Sequence, residues 1–305
     1  MNPIKYLIAA LLFSVGSVWA GDYEDGNDAI IKGDNIAALN KYMSAASKNE
    51  AEAQNAIGDM YREGLGVAQD YVEAVRWYKL AAAQGNPNAQ FALGNIYNNK
   101  NIGIKQDYIE AVYWYKLAAA QGFGKAQFNL ANSYLKGQGV AQDYVEAVRW
   151  YKLSAEQGIA SAQHNLALRY YMGQGVVQDY VEAVRWFKLA AARDFPSSQY
   201  NLGLQYLNGQ GVGQDYGQAV RWFSLAAAQG HNNAQTNLAG MYGNGKGVAQ
   251  DYVRAHMWSN ISAVNANVTA VKNRDFYASK MTPQQIAEAQ KLARECLARN
   301  FKNCD

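Results

Sequence analysis

In the stretch from Ala126 to Ser161, small and apolar residues fall at helical spacing in two runs. Ala126, Leu130, Ala131 and Tyr134 share one face of a first helix, and Ala147, Trp150, Tyr151 and Ala155 share one face of a second. Between them lies Lys136-Gly-Gln-Gly-Val140, whose two glycines break the first helix and permit positive φ. Asp143 opens the second helix. Its carboxylate suits the free N–H groups there, and Glu146 completes a capping-box-like pattern that Asp70/Glu73, Asp107/Glu110 and Asp179/Glu182 repeat. Gly158 ends the second helix, as do Gly85, Gly122 and Gly230. The pattern predicts an antiparallel helix pair.

The pair is repeated along the chain. Asp-Tyr recurs at Asp70, Asp107, Asp143, Asp179, Asp215 and Asp251, with spacings of 37, 36, 36, 36 and 36. Tryptophan follows each time, at Trp77, Trp114, Trp150, Trp186, Trp222 and Trp258. A fixed period of this length means stacked supersecondary units, because neither helix buries its apolar face alone. The expected fold is all-α: an α/α solenoid of stacked 36-residue helix pairs closed by a C-terminal helix. One position of each first helix is always small (Gly58, Gly94, Ala131, Ala167, Gly203, Ala239), and a larger side chain there would force the paired helices apart. Each tryptophan is expected to fill an inter-helix space, so that truncation to alanine costs roughly 3–5 kcal/mol.

Six units are placed at 51–88, 89–125, 126–161, 162–197, 198–233 and 234–265. Residues 21–50 read as a degenerate capping repeat: a short helix from Asp22 to Lys32, then a helix capped by Gly33-Asp34 with Ile36, Leu39 and Met43 inward. The second unit lacks the first loop glycine, and Asn101 stands near that place. The fourth ends in Asp194-Phe195-Pro196 rather than glycine, a junction that could change the local superhelix angle. Residues 266–305 hold the cap. Within the stretch 264–281 the chain reads as a polar connector of weak helical character, and Thr282-Pro283-Gln-Gln285 is a strong helix start. Ile286, Ala289, Leu292, Ala293 and Cys296 form the apolar face of this last helix, which is expected to close the stack.

The repeated wording, AQxNLGxxYxxGxGVxQDYxxAxxWxxxAAxQG, closely resembles the Sel-one-like repeat family, a relative of tetratricopeptide repeats, over roughly residues 33–265. The resemblance implies a right-handed α-superhelix acting as an adaptor in protein complexes. It implies no shared enzymatic activity.

Composition narrows the partner class. The chain has 305 residues, a net charge of +3 and a pI near 8.6, with no basic run, which gives no argument for nucleic acid. Residues 1–20 have the pattern of a cleavable signal peptide: Lys5, an apolar run from Tyr6 to Val18, and Val18-Trp19-Ala20 before Gly21. That run is short for a membrane span, and no other apolar stretch is long enough to cross a bilayer. The mature chain is therefore expected to be periplasmic or secreted. Cys296 and Cys304 are expected to pair there as a structural disulfide.

Chemistry is sparse. His164, His231 and His256 have no mutual metal-binding spacing, and no cofactor is expected. The Gly-x-Gly loops follow no strand and read as turns rather than phosphate cradles. Ser133-Tyr-Leu-Lys136 matches a four-residue motif of penicillin-recognising enzymes without its partner motifs, which leaves a β-lactam- or cell-wall-directed enzyme as the alternative function. A secreted host-interaction factor is a second alternative. Asn260-Ile-Ser262 and Asn267-Val-Thr269 are sequons.

The first helices also carry a stripe that the core does not use. Phe128, Asn132 and Leu135 stand at i, i+4 and i+7, with Phe91, Asn95 and Asn98 before them. His164, Leu168 and Tyr171 follow, then Tyr200, Leu204 and Leu207, then Thr236, Gly240 and Gly243. The row Asn129, Asn165, Asn201 and Asn237 lies beside the stripe. In tetratricopeptide-like stacks the first helices line the concave side, so the expected groove residues are Phe91, Phe128, Asn132, His164, Leu168, Tyr171, Tyr200 and Leu204. The expected ligand is a protein or peptide segment. The competing reading has these side chains cover neighbouring repeats. Glu73/Arg76, Glu146/Arg149 and Glu182/Arg185 read as solvent-side pairs on the second helices.

Overall fold

The computed structural model describes residues 21–100, 102–264, 267–302 and 304; the signal-peptide pattern and Asn101 lie outside the described residues. The described residues form sixteen helices and no strand. They fall into two compact units, one ending at Asp143 and one beginning at Tyr144.

The first unit runs α1 (21–31), α2 (Asn35–Ser47), α3 (Ala51–Glu63), α4 (Tyr71–Ala83), α5 (Pro87–Asn98), α6 (Tyr108–Ala120) and α7 (Gly124–Lys136). The second runs α8 (Tyr144–Glu156), α9 (Ala160–Met172), α10 (Tyr180–Ala191), α11 (Pro196–Asn208), α12 (Tyr216–Ala227), α13 (Asn232–Asn244), α14 (Tyr252–Ala263), α15 (Val268–Ala278) and α16 (Pro283–Ala298). From α5 onward each first helix of a pair begins two residues before the expected unit bounds, at Pro87, Gly124, Ala160, Pro196 and Asn232. Within each unit, neighbouring helices from α2 to α7 and from α8 to α15 pack on one another, and α16 packs on α14.

The core is built from one aliphatic side chain per first helix and one aromatic per second. In the first unit Ile57, Leu93, Leu130, Tyr78 and Tyr115 are fully buried. In the second, Leu166, Leu202, Leu238, Tyr151, Phe187 and Phe223 are. Burying each such side chain is worth roughly 1.5–3 kcal/mol. The small position of the first helix lies beneath the aromatic. A Cβ on Gly58 would stand 2.7 Å from the Tyr78 ring, and one on Gly203 would stand 2.6 Å from Phe223. Gly94 meets Tyr115 in the same way, and Ala131, Ala167 and Ala239 have no exposed surface.

The tryptophans do less than expected. Trp77, Trp114, Trp150 and Trp222 are only partly buried, while Trp186 and Trp258 are buried. The residue after tryptophan, Tyr78, Tyr115, Tyr151, Phe187 or Phe223, fills the space between paired helices. Tryptophan instead packs at the seam between the first helix of its own pair and the helix before it: Trp77 on the α2–α3 cluster and Trp114 on the α4–α5 cluster. The outer ring faces carry cations. Arg149 lies 5.1 Å from the Trp150 centroid and Arg185 4.5 Å from that of Trp186.

The capping boxes at the second helices are replaced by half of one. Asp70 accepts from the N–H groups of Val72 and Glu73, Asp107 from Ile109 and Glu110, and Asp179 from Val181 and Glu182. The glutamate does not return to the cap, because the cap's own N–H already donates to a first-helix tyrosine carbonyl. Asp70 donates to Tyr61 at 2.8 Å, Asp107 to Tyr97 at 2.8 Å and Asp179 to Tyr170 at 3.0 Å. Glu73 and Glu182 pair outward with Arg76 and Arg185. A complete capping box forms at Thr282 and Gln285.

Two rows of glutamine support the junctions. Gln127 Nε2 donates to the Ala119 carbonyl, Gln163 to Ala155, Gln199 to Ala191 and Gln235 to Ala227. Each buried amide thus satisfies an orphan carbonyl at the end of the preceding helix. A second row, including Gln142, Gln178 and Gln214, donates at 2.8 Å to the carbonyls of Leu135, Tyr171 and Leu207 at the ends of first helices.

The ends of the chain differ from expectation in two places. In α2 Ile36 points outward with 66% exposure, and Ala38, Tyr42, Ala45 and Ala46 make the buried face; Leu39 and Met43 are partly buried against it. The supposed connector contains α15, capped by Asn267, whose Tyr277 is buried over Gly243. The polar composition hid it because α15 buries just Ala270 and Tyr277. Helix α16 packs on α14 and buries Ala289, Ala293 and Cys296, with Cys296 disulfide-bonded to Cys304.

Asp194 keeps the conformation that glycine supplies elsewhere, with φ 56°. Asp194→Gly should therefore raise stability by about 0.5–1 kcal/mol, the relief of left-handed strain exceeding the entropy that glycine adds to the unfolded chain. An unchanged or lower urea midpoint would contradict this.

Candidate binding cleft on the first helices

The first unit carries a cleft of ≈ 580 Å³ along α3, α5 and the start of α7. Asn55, Asp59 and Arg62 line it from α3, at the same i, i+4, i+7 register as the expected stripe. Phe91 and Asn95 line it from α5, and Phe123 and Lys125 close its far side. The Phe91 and Phe123 rings lie 5.3 Å apart, and Phe91 also leans on the core ring of Tyr115 at 6.2 Å.

The polar groups of the cleft are held from beneath. Asp59 Oδ1 accepts from the Tyr78 hydroxyl at 2.7 Å and from Arg62 at 2.9 Å, and its Oδ2 accepts from Asn55 at 3.1 Å. Arg62 donates further to Tyr78 Oη at 3.0 Å and to Glu63 at 2.7 Å. Burial, then the Asp59 carboxylate, push the Tyr78 phenol well above its ordinary pKa, so it remains a donor. Asn95 Oδ1 accepts from the Tyr115 hydroxyl and from Asn129, each at 2.9 Å, which leaves the Asn95 amide N–H groups for the cleft.

Phe128 and Asn132, on α7, are half-buried. In the second unit Tyr200 lines a smaller hollow of ≈ 290 Å³ with Asn233, Thr236, Asn237, Asn267 and Thr269. Its ring stacks on His231 at 4.6 Å. Leu204 is partly buried against the α12–α14 cluster, Tyr171 packs on Tyr180 at 5.3 Å, and Leu168 is half-buried. The Tyr171–Tyr180 and Tyr200–His231 contacts each lie within a single helix pair and its following turn. Asn129 and Asn165 bond scaffold groups, the latter donating to Tyr151 Oη at 3.2 Å.

His164 does not belong to an open surface. Its Nδ1 lies 2.8 Å from Ser198 Oγ, and its ring packs against Phe187 and Phe195 with 9% exposure. Burial, with a smaller contribution from His231, lowers its pKa to about 4. The unfolded chain takes up this proton from about pH 6.5 downward and the folded chain does not, so stability present above 6.5 is lost as pH falls towards 4. The loss should reach roughly 3 kcal/mol. His164→Phe, the residue type at Phe128, should flatten that acid limb. Urea unfolding at pH 7.5 and 4.5 measures it, and equal acid losses in both proteins would contradict the assignment.

Asp59, Arg62, Phe123 and Lys125 were not among the expected groove residues. Extending the stripe one repeat backward would have found the first two; Phe123 and Lys125 sit in a junction whose contribution depends on the packing of α5 and α7. Ser133 is 6% exposed and donates to the Asn129 carbonyl at 3.1 Å, so its hydroxyl is engaged in the helix. His231 caps α13, accepting from Ala234 N–H at 3.2 Å, and His256 is buried at 2%. Among the described residues no group of three His, Cys, Asp or Glu side chains is placed to hold a metal. No described helix is long and apolar enough to cross a membrane.

The family model for the Sel1 repeat matches residues 51–86, 87–123, 124–159, 160–195, 196–231 and 232–263, the starts of the first helices. The chain is similar to c5321, a protective antigen of uropathogenic Escherichia coli displaying an SLR fold, at 35% identity and a TM-score of 0.80. That match covers 88% of this chain and spans 58% of the length of c5321. A Sel1 repeat protein of Oxalobacter formigenes is 30% identical, with a TM-score of 0.70, over 79% of this chain and 96% of its own. No curated protein matches. Six matched repeats, their helix pairs and the aromatic-over-small packing within them place the chain in the Sel1 repeat family.

Proposed function

We propose that this chain is an exported, non-catalytic scaffold that holds a segment of a protein partner in the α3–α5–α7 cleft. The observation that carries this reading is the cleft itself: exposed aromatic surface on Phe91 and Phe123, ringed by amides and charges already fixed by scaffold hydrogen bonds. Preorganised polar groups around an aromatic anchor favour binding because little ordering remains when the partner docks. The Cys296–Cys304 disulfide supports an oxidising compartment, periplasmic or extracellular. The burial of Ser133 argues against the β-lactam reading.

The test uses residues 21–305 as bait in envelope extract, beside a Phe91→Ala protein shown by circular dichroism to melt like the parent. A partner whose purified form binds the parent directly and is lost by Phe91→Ala supports the reading; direct binding of equal strength to both moves the site elsewhere. Fractionation with mass measurement of the N-terminus tests export, and a chain retaining Met1 in the cytoplasm would overturn it. The likeness to a protective antigen favours a second reading, a surface or secreted factor, which recovery of the chain outside intact cells would support.

A further inference from the structure

We propose that the occupant of this cleft is a peptide segment of mixed charge, with a basic side chain at the α3 end, a carboxylate at the Lys125 end and an apolar side chain between them on Phe91 and Phe123. The proposal rests on the peptide-binding reading above and gives it a chemistry.

The two ends of the cleft differ in sign. At the α3 end Asp59 and Glu63 share a single Arg62, 2.9 and 2.7 Å from it, so one negative charge is left uncompensated there. At the other end Lys125 is exposed and forms no ion pair among the described residues. The middle is aromatic, and its free hydrogen-bonding groups are complementary to a main chain. Asn95, exposed in the cleft, offers its amide N–H groups to a main-chain carbonyl. A neutral oligosaccharide would satisfy the amides but leave both terminal charges idle. Successive first helices stand about 10 Å apart, so α3 to α7 spans about 20 Å, or about six residues of extended chain.

Hexapeptide pools with four randomised central positions test this. Lys-X4-Glu, Glu-X4-Lys, Lys-X4-Lys, Glu-X4-Glu and Gln-X4-Gln pools are passed over the immobilised 21–305 chain at low ionic strength. Since a groove can accept either chain direction, both mixed-charge pools should be retained, about tenfold more than the others, each matched exposed pair being worth up to about fivefold. Roughly 0.5 M salt should erase most of the difference. Lys125→Glu, which alters a side chain without an ion pair in the fold, should shift the preference to Lys-X4-Lys. Equal retention of all pools, lost in the folded Phe91→Ala protein, would overturn the charge assignment and leave the peptide-binding reading standing. An unchanged preference in Lys125→Glu would also overturn it. Retention of no pool above blank resin, or displacement of every pool by a neutral oligosaccharide, would remove both.

Discussion

Gly175→Ala should destabilise the chain by about 3–5 kcal/mol, whereas Gly103→Ala should cost only about 1 kcal/mol. The two glycines have the same φ, 76°, so both substitutions incur the left-handed penalty of an L-residue. They differ in surroundings. A Cβ on Gly103 meets nothing within 4 Å, while one on Gly175 falls on the carbonyl of Tyr144, the first residue of α8. That neighbour is backbone at the start of a packed helix and cannot rotate away like a side chain. Either α8 or the loop after α9 must move. Urea unfolding of the two variants beside the parent separates the effects; equal losses would show that the close approach carries no energy.

Phe187→Ala should cost about 3–5 kcal/mol and Trp150→Ala about 2, the reverse of what side-chain size suggests. Phe187 is 1% exposed and sits between α9 and α10 at the heart of its helix pair, with the His164 ring 5.7 Å away. Its removal leaves a cavity whose walls are two helices held at fixed separation by the small residue Ala167. Trp150 is partly exposed, carries Arg149 on its face, and its Nε1 has no hydrogen-bond partner among the described residues. Part of its surface stays wet or is covered by the exposed Arg149 side chain. Melting and urea midpoints measured on both variants test the ranking, and a larger loss for Trp150→Ala would restore tryptophan as the core residue.

The helix pairs were readable from sequence because each was signalled redundantly. Around Asp143, periodicity, the two loop glycines and the capping aspartate all pointed to one boundary, and six copies averaged out local noise. Tryptophan is the conspicuous residue of each copy but not the one between the paired helices; the adjacent Tyr78 or Phe187 varies in type and so stands out less. Helix α15 is not legible in the sequence because Tyr277 is a single large buried side chain in a polar stretch, too little for a periodic signal. The candidate cleft was partly readable. The register of Phe91 and Asn95 follows from helix geometry, but His164 occupies the same register and is buried. Nothing local distinguishes them. The difference lies in what the next pair places alongside: Ser198 and Phe195 beside His164, and the open side of Phe123 beside Phe91.

The glutamine row has a bearing on how such a chain can change length. The Gln199 amide belongs to one repeat and the Ala191 carbonyl that it satisfies belongs to the one before. Gly211 likewise belongs to one repeat and fits against Tyr180 of its predecessor. The junctions at Gly139, Gly175, Gly211 and Gly247 are thus written half in each neighbour, in the same two halves, whereas at Gly103 the close approach is absent. Recombination at matching phase between copies that share both halves regenerates an intact junction, wherever in the repeat the crossover falls. An out-of-phase event strands a buried amide and drives a Cβ-bearing residue onto a carbonyl. Growth and shrinkage of the array are therefore quantised in whole periods.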